Sequence, residues 1–256
     1  MGPFRQTLLN HLAFASANFP RPLAFDSAIL SSCGIGRVAF IRHGNTNKAP
    51  SGGADFDRQL TDLGREQARA AGFSYGEDLR PFYHSVLCSP APRCVETAKI
   101  FLDATGMYEN QQQPTELNYN QVLYDGAIQP EGSRLFKKIG YAPLRKYYND
   151  TDEEDRIVAN EILGSYAMSS LKAIERVAST GAAMRNRPST PGGTALLFFA
   201  HAVYLPAASF GLASAIGCTG DDLDIILDTN TKEAEGYLVN VDDRECSLLS
   251  LASDTS

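Results

Sequence analysis

The chain has 256 residues, of which 43% are hydrophobic, and it carries a formal net charge of −7 at pH 7. This length fits one large domain or two small ones with a sizeable core. The negative charge and the lack of a basic stripe exclude a nucleic-acid-binding protein, since such proteins neutralise phosphates with clustered Lys and Arg. The five cysteines are odd in number, scattered and without a CxxC pair, so the sequence predicts neither a zinc site nor a disulfide framework.

Residues 1–36 differ from the rest of the chain because they contain a single acidic residue, Asp26. Two interpretations of this segment stay open. It is either an organelle transit segment, which would place the protein in a mitochondrion or plastid, or an ordinary N-terminal extension of a cytoplasmic protein. Under both interpretations, residues 37–256 form the predicted functional domain.

The first predicted strand covers residues 37–41 and runs directly into residues 42–46, which read Arg-His-Gly-Asn-Thr. A loop rich in Gly, Ser, Asn and Asp follows. Thr61 is suited to cap a helix over residues 61–71, and Gly72 is expected to end it.

The second predicted strand covers residues 84–88, and a helix to about residue 106 follows it. Ser89 is the expected N-cap of this helix, with Pro90 at the first helical position. A polar connection rich in Gln and Asn is predicted for residues 107–130.

The rest of the chain predicts helices at 132–148 and 153–180, a strand at 194–200, a helix at 203–215, and strands at 236–239 and 246–251. Strands that alternate with helices indicate an α/β fold, a three-layer α/β/α sandwich with a mostly parallel central sheet. The uncharged stretch 195–216 is interpreted as a buried strand and a buried helix. It is not interpreted as a membrane span, because Pro206 and His201 interrupt it.

Basic and imidazole side chains follow three of these strands. Arg42 and His43 follow the first strand, Arg93 lies in the first helical turn after the second, and His201 follows the third. The carboxyl ends of parallel strands meet at one sheet edge, where open α/β sheets place their ligands. Cations, an imidazole and a small-residue turn together suit a phosphoryl group.

Four segments resemble motifs of the histidine phosphatase (phosphoglycerate mutase-like) superfamily. Residues 42–44 read Arg-His-Gly after a strand, and residues 89–98 read SPAPRCVETA, which resembles a Ser-Pro-x-x-Arg-x-x-x-Thr-Ala motif. Residues 60–68, LTDLGREQA, look like a Leu-Thr-x-x-Gly-x-x-Gln-Ala segment, and residues 199–201, Phe-Ala-His, look like the superfamily's second histidine. The resemblance spans roughly residues 37–240.

The resemblance implies that His43 is the nucleophile that accepts the phosphoryl group. Arg42 and Arg93 are expected to clamp the phosphoryl oxygens, and a protonated His201 would add a third cation. Asn45 is placed to donate one further hydrogen bond. Neither a metal nor a cofactor is expected, because the fixed cations neutralise the phosphoryl charge.

The leaving group needs a proton, and in the superfamily a carboxylic acid from the segment after the second motif usually supplies it. Here that segment covers residues 116–126 and offers two acids. Asp125 is slightly favoured, because Leu-Tyr-Asp at residues 123–125 resembles the phosphohistidine phosphatase branch. Glu116 remains the alternative.

The sequence therefore predicts a metal-independent phosphatase that hydrolyses a phosphomonoester or a phosphohistidine through a covalent phosphohistidine on His43. Its expected partner is a small phosphorylated substrate or a phosphoprotein, with neither nucleic acid nor a membrane.

Three alternatives were weighed against this prediction. A phosphoglycerate mutase-like phosphotransferase is disfavoured by the absence of Trp and by the short, Gly-rich loop after Arg-His-Gly. A non-catalytic phosphoryl-binding module is motivated by the unsettled acid. A serine hydrolase, suggested by the GxSxG pattern at residues 72–76, is disfavoured because no strand precedes that pattern.

Overall fold

The computed structural model of the protein describes residues 25–49, 51, 53–79, 83–106, 117–125, 130–149, 152–183 and 194–251. Its strands are β1 (Ile35–Arg42), β2 (Tyr83–Cys88), β3 (Leu117–Tyr119), β4 (Thr194–Ala200), β5 (Gly236–Asn240) and β6 (Glu245–Leu249). They form one sheet in the order β3-β2-β4-β1-β5-β6. Strands β3, β2, β4 and β1 are parallel to one another, whereas β5 pairs antiparallel with β1 and β6 pairs antiparallel with β5. The prediction of a mostly parallel sheet is confirmed.

The described helices are α1 (Ala28–Ser32), α2 (Asp62–Leu79), α3 (Pro92–Ala104), α4 (Val122–Asp125), α5 (Pro130–Ile139), α6 (Leu144–Asn149), α7 (Glu153–Ala183), α8 (Tyr204–Ile216) and α9 (Asp221–Asp228). Successive strand residues point to opposite faces of a sheet, so a strand buried on both faces supplies two cores. Phe40 of β1 lies in one hydrophobic cluster with residues of α7 and α8, and Ile41 lies in a second cluster with residues of α2 and α3. The predicted three-layer α/β/α sandwich is therefore confirmed.

Helix α2 starts as the sequence predicts but runs further. The Thr61 hydroxyl accepts a hydrogen bond from the Gly64 N–H at 3.0 Å, which is the expected cap. The prediction that Gly72 ends the helix is wrong, because α2 continues to Leu79. A Cβ atom on Gly72 would lie 2.5 Å from the carbonyl oxygen of Phe101, so this glycine lets α3 approach closely. The GxSxG pattern lies inside α2 and does not form the strand-to-helix elbow that a serine hydrolase needs.

The region between α3 and β4 is more broken than the sequence predicts. The helix predicted for 132–148 is two helices, α5 and α6, separated by Gly140 at a φ of +76°, which suits glycine. The polar connection at 107–130 contains β3 and α4, while its residues 107–116 and 126–129 lie outside the described part of the chain. Helix α9 was not predicted.

Part of the predicted N-terminal extension packs against the domain. Leu30 of α1 is fully buried in the same cluster as Phe40, and β1 begins at Ile35. Residues 1–24 lie outside the described part, so the predicted boundary at residue 36 and the transit segment stay predictions.

The uncharged stretch 195–216 is the strand β4 and the helix α8, as predicted. None of the helices in the described ranges is long and apolar enough to cross a membrane.

Candidate active site

Three strands deliver the predicted residues to one edge of the sheet. In the parallel register, Arg42 at the end of β1 lies opposite Ala200 at the end of β4. His43 and His201 each follow directly, and the His43 backbone N–H donates to the Ala200 carbonyl at 3.2 Å. The two imidazole ring centroids lie 5.4 Å apart. The convergence expected from the pattern of strand ends is present in the fold.

His43 is held as a neutral imidazole with a defined tautomer. Its Nδ1 lies 2.8 Å from the Gly44 carbonyl oxygen, which can only accept, so Nδ1 carries the proton and Nε2 keeps its lone pair. The pKa of His43 is lowered to about 3. Burial is the main cause, the hydrogen bond to the Gly44 carbonyl opposes it, and the charges of Arg93 and Arg42 add to the lowering. An unprotonated imidazole nitrogen is the form that can attack phosphorus.

Arg42 reaches the site from the last position of β1. Its Nη1 donates to the Thr231 carbonyl at 2.8 Å, and its Nη2 pairs with Glu233 at 3.3 Å. Burial lowers its pKa, although Glu233 opposes this shift. Its Nε is buried and has no hydrogen-bond partner among the described residues.

Arg93, the second residue of α3, is held by a different part of the chain. Its Nη1 donates to the Asp55 carbonyl at 2.6 Å, and its Nη2 donates to Asp55 Oδ2 at 2.7 Å. Its Nε is also buried without a partner in the described part of the chain. Both predicted arginines therefore present an unsatisfied N–H group in the buried site.

The predicted role of His201 as a third cation requires the protonated imidazole, which the surroundings of the ring disfavour, and this role stays a prediction. Burial lowers its pKa well below the usual value, and the neighbouring His43 and Arg93 lower it further. Arg93 Nη2 lies 3.3 Å from His201 Nδ1, and since a guanidinium only donates, Nδ1 is the acceptor. The proton on His201 therefore sits on Nε2, 2.9 Å from Ser89 Oγ.

The predicted role of Ser89 as a helix cap is wrong. Helix α3 begins two residues later than predicted, with Ala91 at the cap position and Pro92 at the first helical position. Pro92 thus has the role assigned to Pro90. The Ser89 oxygen instead accepts from His201 Nε2–H at 2.9 Å and from the Ala91 N–H at 3.4 Å.

The turn after His43 is held by close packing against α2 and α3. A Cβ atom on Gly44 would lie 2.4 Å from the carbonyl oxygen of Gly64, and one on Gly64 would lie 2.1 Å from the Asn45 carbonyl oxygen. The Gly44 N–H donates to Thr97 Oγ1 at 3.1 Å. The motif positions Gly44, Gly64 and Thr97 are therefore positions of contact between segments.

Asn45 lies at the edge of the cavity that His43 and the arginines line. Its backbone N–H donates to Gln67 Oε1, and its side-chain Oδ1 accepts from the Thr61 hydroxyl, both at 2.8 Å. Its side-chain NH2 makes no hydrogen bond to another described residue. Donation of that group to a phosphoryl oxygen stays a prediction.

Two charged residues that sequence reasoning missed complete the site. Asp55 and Arg58 lie in the loop before α2, and Arg58 Nη1 pairs with Asp55 Oδ1 at 3.2 Å. Arg58 Nε also donates to the Asn47 carbonyl at 2.9 Å, so the loop is tied to itself. The loop has no periodic pattern, and the only signal was the charged run Asp-Phe-Asp-Arg directly before the segment at 60–68.

These residues line a cavity of about 570 Å³. Its lining includes the imidazoles and guanidinium groups described above, together with residues of α5 and of the segment that follows α5. Tyr141 of this segment has its ring centroid 5.3 Å from the Arg42 guanidinium carbon. Pockets of this size accommodate small organic ligands, so the cavity has room for more than a phosphoryl group.

A family model described as the histidine phosphatase superfamily (branch 1) matches residues 38–122. This range contains His43, the segment at 60–68 and Arg93. The resemblance to the histidine phosphatase superfamily is confirmed. No curated protein matches the sequence closely enough to count as a relative.

Two solved structures of phosphatases resemble this chain at low sequence identity. A mutant phosphoserine phosphatase from Entamoeba histolytica, in complex with phosphoserine, has a TM-score of 0.50 and 14% identity, over 86% of this chain and 98% of that one. A mycobacterial glucosyl-3-phosphoglycerate phosphatase, in complex with VO3, has a TM-score of 0.48 and 18% identity, over 83% of this chain and 96% of that one. At these identities, the likeness bears on the fold alone.

The acid that the superfamily pattern predicts falls largely outside the described residues. Asp125 is the last residue of α4, but its side chain lies outside the described part, and so does the whole of Glu116. Both assignments stay predictions. Among described residues, the carboxylates that line the cavity are those of Asp55 and Glu233.

Proposed function

We propose that this protein is a phosphatase that hydrolyses a phosphomonoester or a phosphohistidine through a covalent phosphohistidine on His43. The observation that carries the proposal is the state of His43. Its Nδ1–H is committed to the Gly44 carbonyl, so Nε2 keeps its lone pair in a cavity lined with guanidinium groups. A nucleophile that is neutral, oriented and surrounded by cations suits attack on an anionic phosphoryl group.

The two arginines supply the binding energy for that group. Leaving a buried charged donor without an acceptor costs about 1–3 kcal/mol. The Nε–H groups of Arg42 and Arg93 are such donors, and phosphoryl oxygens would satisfy both. Arg58 adds a third guanidinium at the same cavity.

The proposed reaction has two steps. His43 Nε2 bonds to phosphorus while the bond to the leaving oxygen or nitrogen breaks, and the leaving group takes a proton from an acid. A water molecule then attacks the phosphohistidine, the P–N bond breaks, and inorganic phosphate forms as the water proton returns to that acid. The substrate is a small phosphorylated molecule or a phosphoprotein, and the fixed guanidinium charges act without a metal.

The test is transient phosphoryl labelling. Wild-type protein mixed with radiolabelled p-nitrophenyl phosphate and quenched should carry a label that is stable in alkali and lost in acid, as a phosphoramidate bond is. His43→Ala should lose both the label and the turnover while it still binds inorganic phosphate through the intact arginines. Turnover near the wild-type rate in that variant would refute the mechanism.

The same experiment separates the two remaining alternatives. A non-catalytic phosphoryl-binding module would bind phosphate but show neither label nor turnover in the wild type. A mutase-like phosphotransferase would take the label and pass it to a second phosphoglycerate hydroxyl faster than to water.

A further inference from the structure

The carboxylate of Asp55 forms ion pairs with two of the arginines that a phosphoryl group would bind. Its carboxylate bridges two guanidinium groups, with Oδ2 at 2.7 Å from Arg93 Nη2 and Oδ1 at 3.2 Å from Arg58 Nη1. Its own carbonyl takes Arg93 Nη1 at 2.6 Å. One residue therefore engages both terminal nitrogens of a guanidinium whose side chain is only 4% exposed.

A bound phosphoryl dianion would lie against this carboxylate. The charged and titratable groups that share the cavity with Asp55 are Arg42, His43, Arg58, Arg93, Tyr141, His201, Tyr204, Glu233 and, on α5, Lys137. The lowered pKa values of His43 and His201 favour uncharged imidazoles, which do not offset the repulsion between the Asp55 carboxylate and a phosphoryl dianion. Two negative charges that share one site raise the proton affinity of the weaker acid, as in paired carboxylates.

Burial alone would raise the pKa of Asp55, but Arg93 and Arg58 outweigh it and hold this pKa below its usual value in the unliganded protein. A phosphoryl group that draws those guanidinium groups to itself removes the stabilisation and adds repulsion. The side chain of Asp55 is 49% exposed, so solvent can deliver a proton to it.

We propose that Asp55 is the proton donor of the reaction, taking up a proton when the phosphoryl group displaces its carboxylate from Arg93. This proposal rests on the proposed function and assigns its acid to a residue other than Asp125 or Glu116. In the first step the Asp55 O–H proton passes to the leaving oxygen as the P–O bond breaks, which leaves the carboxylate. In the second step that carboxylate takes a proton from the attacking water and is ready for the next cycle.

The other carboxylate of the described cavity does not fit this role. Glu233 pairs with Arg42 Nη2 at 3.3 Å and, among the described residues, with no second guanidinium. Asp55 instead pairs with both Arg93 of α3 and Arg58 of its own loop. A phosphoryl group that binds Arg93 therefore competes directly with the Asp55 carboxylate.

The first test measures protonation without turnover. Sulfate is a tetrahedral dianion that does not titrate near neutral pH, so any proton taken up from the buffer when it binds is bound by a group of the protein. Calorimetry of sulfate binding in buffers of different ionisation enthalpy should report uptake of about one proton by the wild type. Asp55→Asn should bind sulfate without proton uptake and about tenfold more tightly at pH 8, because the competing charge is gone.

Asp57→Asn is the matched control, since Asp57 lies in the same turn and its Oδ2 only accepts from the Ala54 N–H. This variant should keep the wild-type proton uptake. Equal uptake in Asp55→Asn and the wild type would overturn the proposal and assign the proton to a histidine.

The second test compares leaving groups. p-Nitrophenolate leaves without a proton, whereas the alkoxide of glycerol 2-phosphate does not. Asp55→Asn should lose roughly 10²–10⁴-fold in kcat/KM on the alkyl ester and less than about tenfold on the aryl ester. Equal losses on both esters, or a selective loss in Asp125→Asn or Glu116→Gln instead, would overturn the Asp55 assignment while leaving the proposed phosphatase standing. A wild type that hydrolyses neither ester would contradict the proposed function itself.

Discussion

The tautomers of His43 and His201 are set by whether the neighbouring atom donates or accepts a hydrogen bond. A backbone carbonyl faces one ring and a guanidinium faces the other, so each imidazole has one permitted tautomer. Both rings are buried and neutral, which keeps Nε2 of His43 nucleophilic far below pH 7. The same burial makes the folded protein sensitive to acid.

The first prediction concerns stability in acid. His43 has a folded-state pKa of about 3 and an unfolded value near 6.5, so the unfolded chain binds the extra proton. Its contribution to the free energy of unfolding is therefore complete above pH 6.5 and lost as the pH falls towards 3. At pH 5 the loss is about 2 kcal/mol for His43, and His201 adds to it. Urea denaturation of the wild type and His43→Asn at pH 7.5 and 5 measures this difference, and parallel pH profiles for the two proteins would contradict it.

The second prediction concerns Ser89. Removing its hydroxyl leaves the buried Nε2–H of His201 with the Cys94 sulfur at 3.7 Å, a weak acceptor, which costs about 1–1.5 kcal/mol. Ser89→Ala should therefore lower kcat by about fivefold to tenfold. Ser209→Ala is the control, because that buried hydroxyl only bonds back to the Leu205 carbonyl within α8. If the two variants lose activity equally, Ser89 has no specific role in orienting His201.

The sequence was sufficient to predict the residues that follow strands. Arg42, His43 and His201 follow from the rule that parallel strands end at one sheet edge, which needs no knowledge of side-chain contacts. Asp55 and Arg58 could not be predicted in this way, because their loop has no periodicity and its path depends on packing against Arg93. The local pattern around Ser89 predicts a helix N-cap. Its hydroxyl instead contacts the imidazole of His201, which is distant in the sequence.

At the scale of elements, the site depends on how closely α2 and α3 approach the turn after β1. Three glycines in this region have neighbouring backbone atoms so close that a Cβ atom would not fit: Gly44, Gly64 and Gly72. The sequence shows these glycines but not the reason for them. Gly72 looked like a helix stop because propensity disfavours glycine inside helices, and the packing of α3 overrides that propensity.

The third prediction tests this packing with two glycines of the same helix. A methyl group on Gly64 would lie 2.1 Å from the Asn45 carbonyl oxygen, whereas one on Gly76 would meet Thr105 at an ordinary 3.5 Å. Gly64→Ala should destabilise the protein by about 1–3 kcal/mol and lower turnover by displacing the turn after His43. Gly76→Ala should leave turnover unchanged and raise stability by up to about 1 kcal/mol. Chemical denaturation and turnover of both variants decide this, and a fully active Gly64→Ala would show that the turn tolerates displacement.

At the scale of the whole molecule, a protein with a net charge of −7 gathers three guanidinium groups around one cavity. Its many carboxylates lie mostly elsewhere, for example in the ion pairs of Arg145 with Asp224 and Asp228. Local charge, not net charge, therefore decides which ligand fits the site. The described residues contain no group of His, Cys, Asp and Glu side chains arranged to hold a metal ion.

The fourth prediction follows from those fixed cations. Arginine side chains that neutralise the phosphoryl oxygens leave no charge for a divalent ion to balance, so turnover of p-nitrophenyl phosphate should keep its full rate in excess EDTA. Adding Mg²⁺ or Zn²⁺ after dialysis should not raise the rate. An enzyme that EDTA inactivates and Mg²⁺ or Zn²⁺ restores would contradict the proposed mechanism.

The position of β1 between β4 and β5 has a consequence for biosynthesis. Both neighbours of β1, β4 and β5, lie more than about 150 residues later in the sequence, and Arg42 lies opposite Ala200 of β4 in the register. During synthesis β1 therefore leaves the ribosome long before β4 and β5 are made, and until then both edges of β1 lack their hydrogen-bonding partners. Such non-local pairing slows folding and exposes apolar strands to aggregation in the meantime. Phosphoryl-binding competence should thus emerge only after β4 and β5 have been synthesised and have paired with β1.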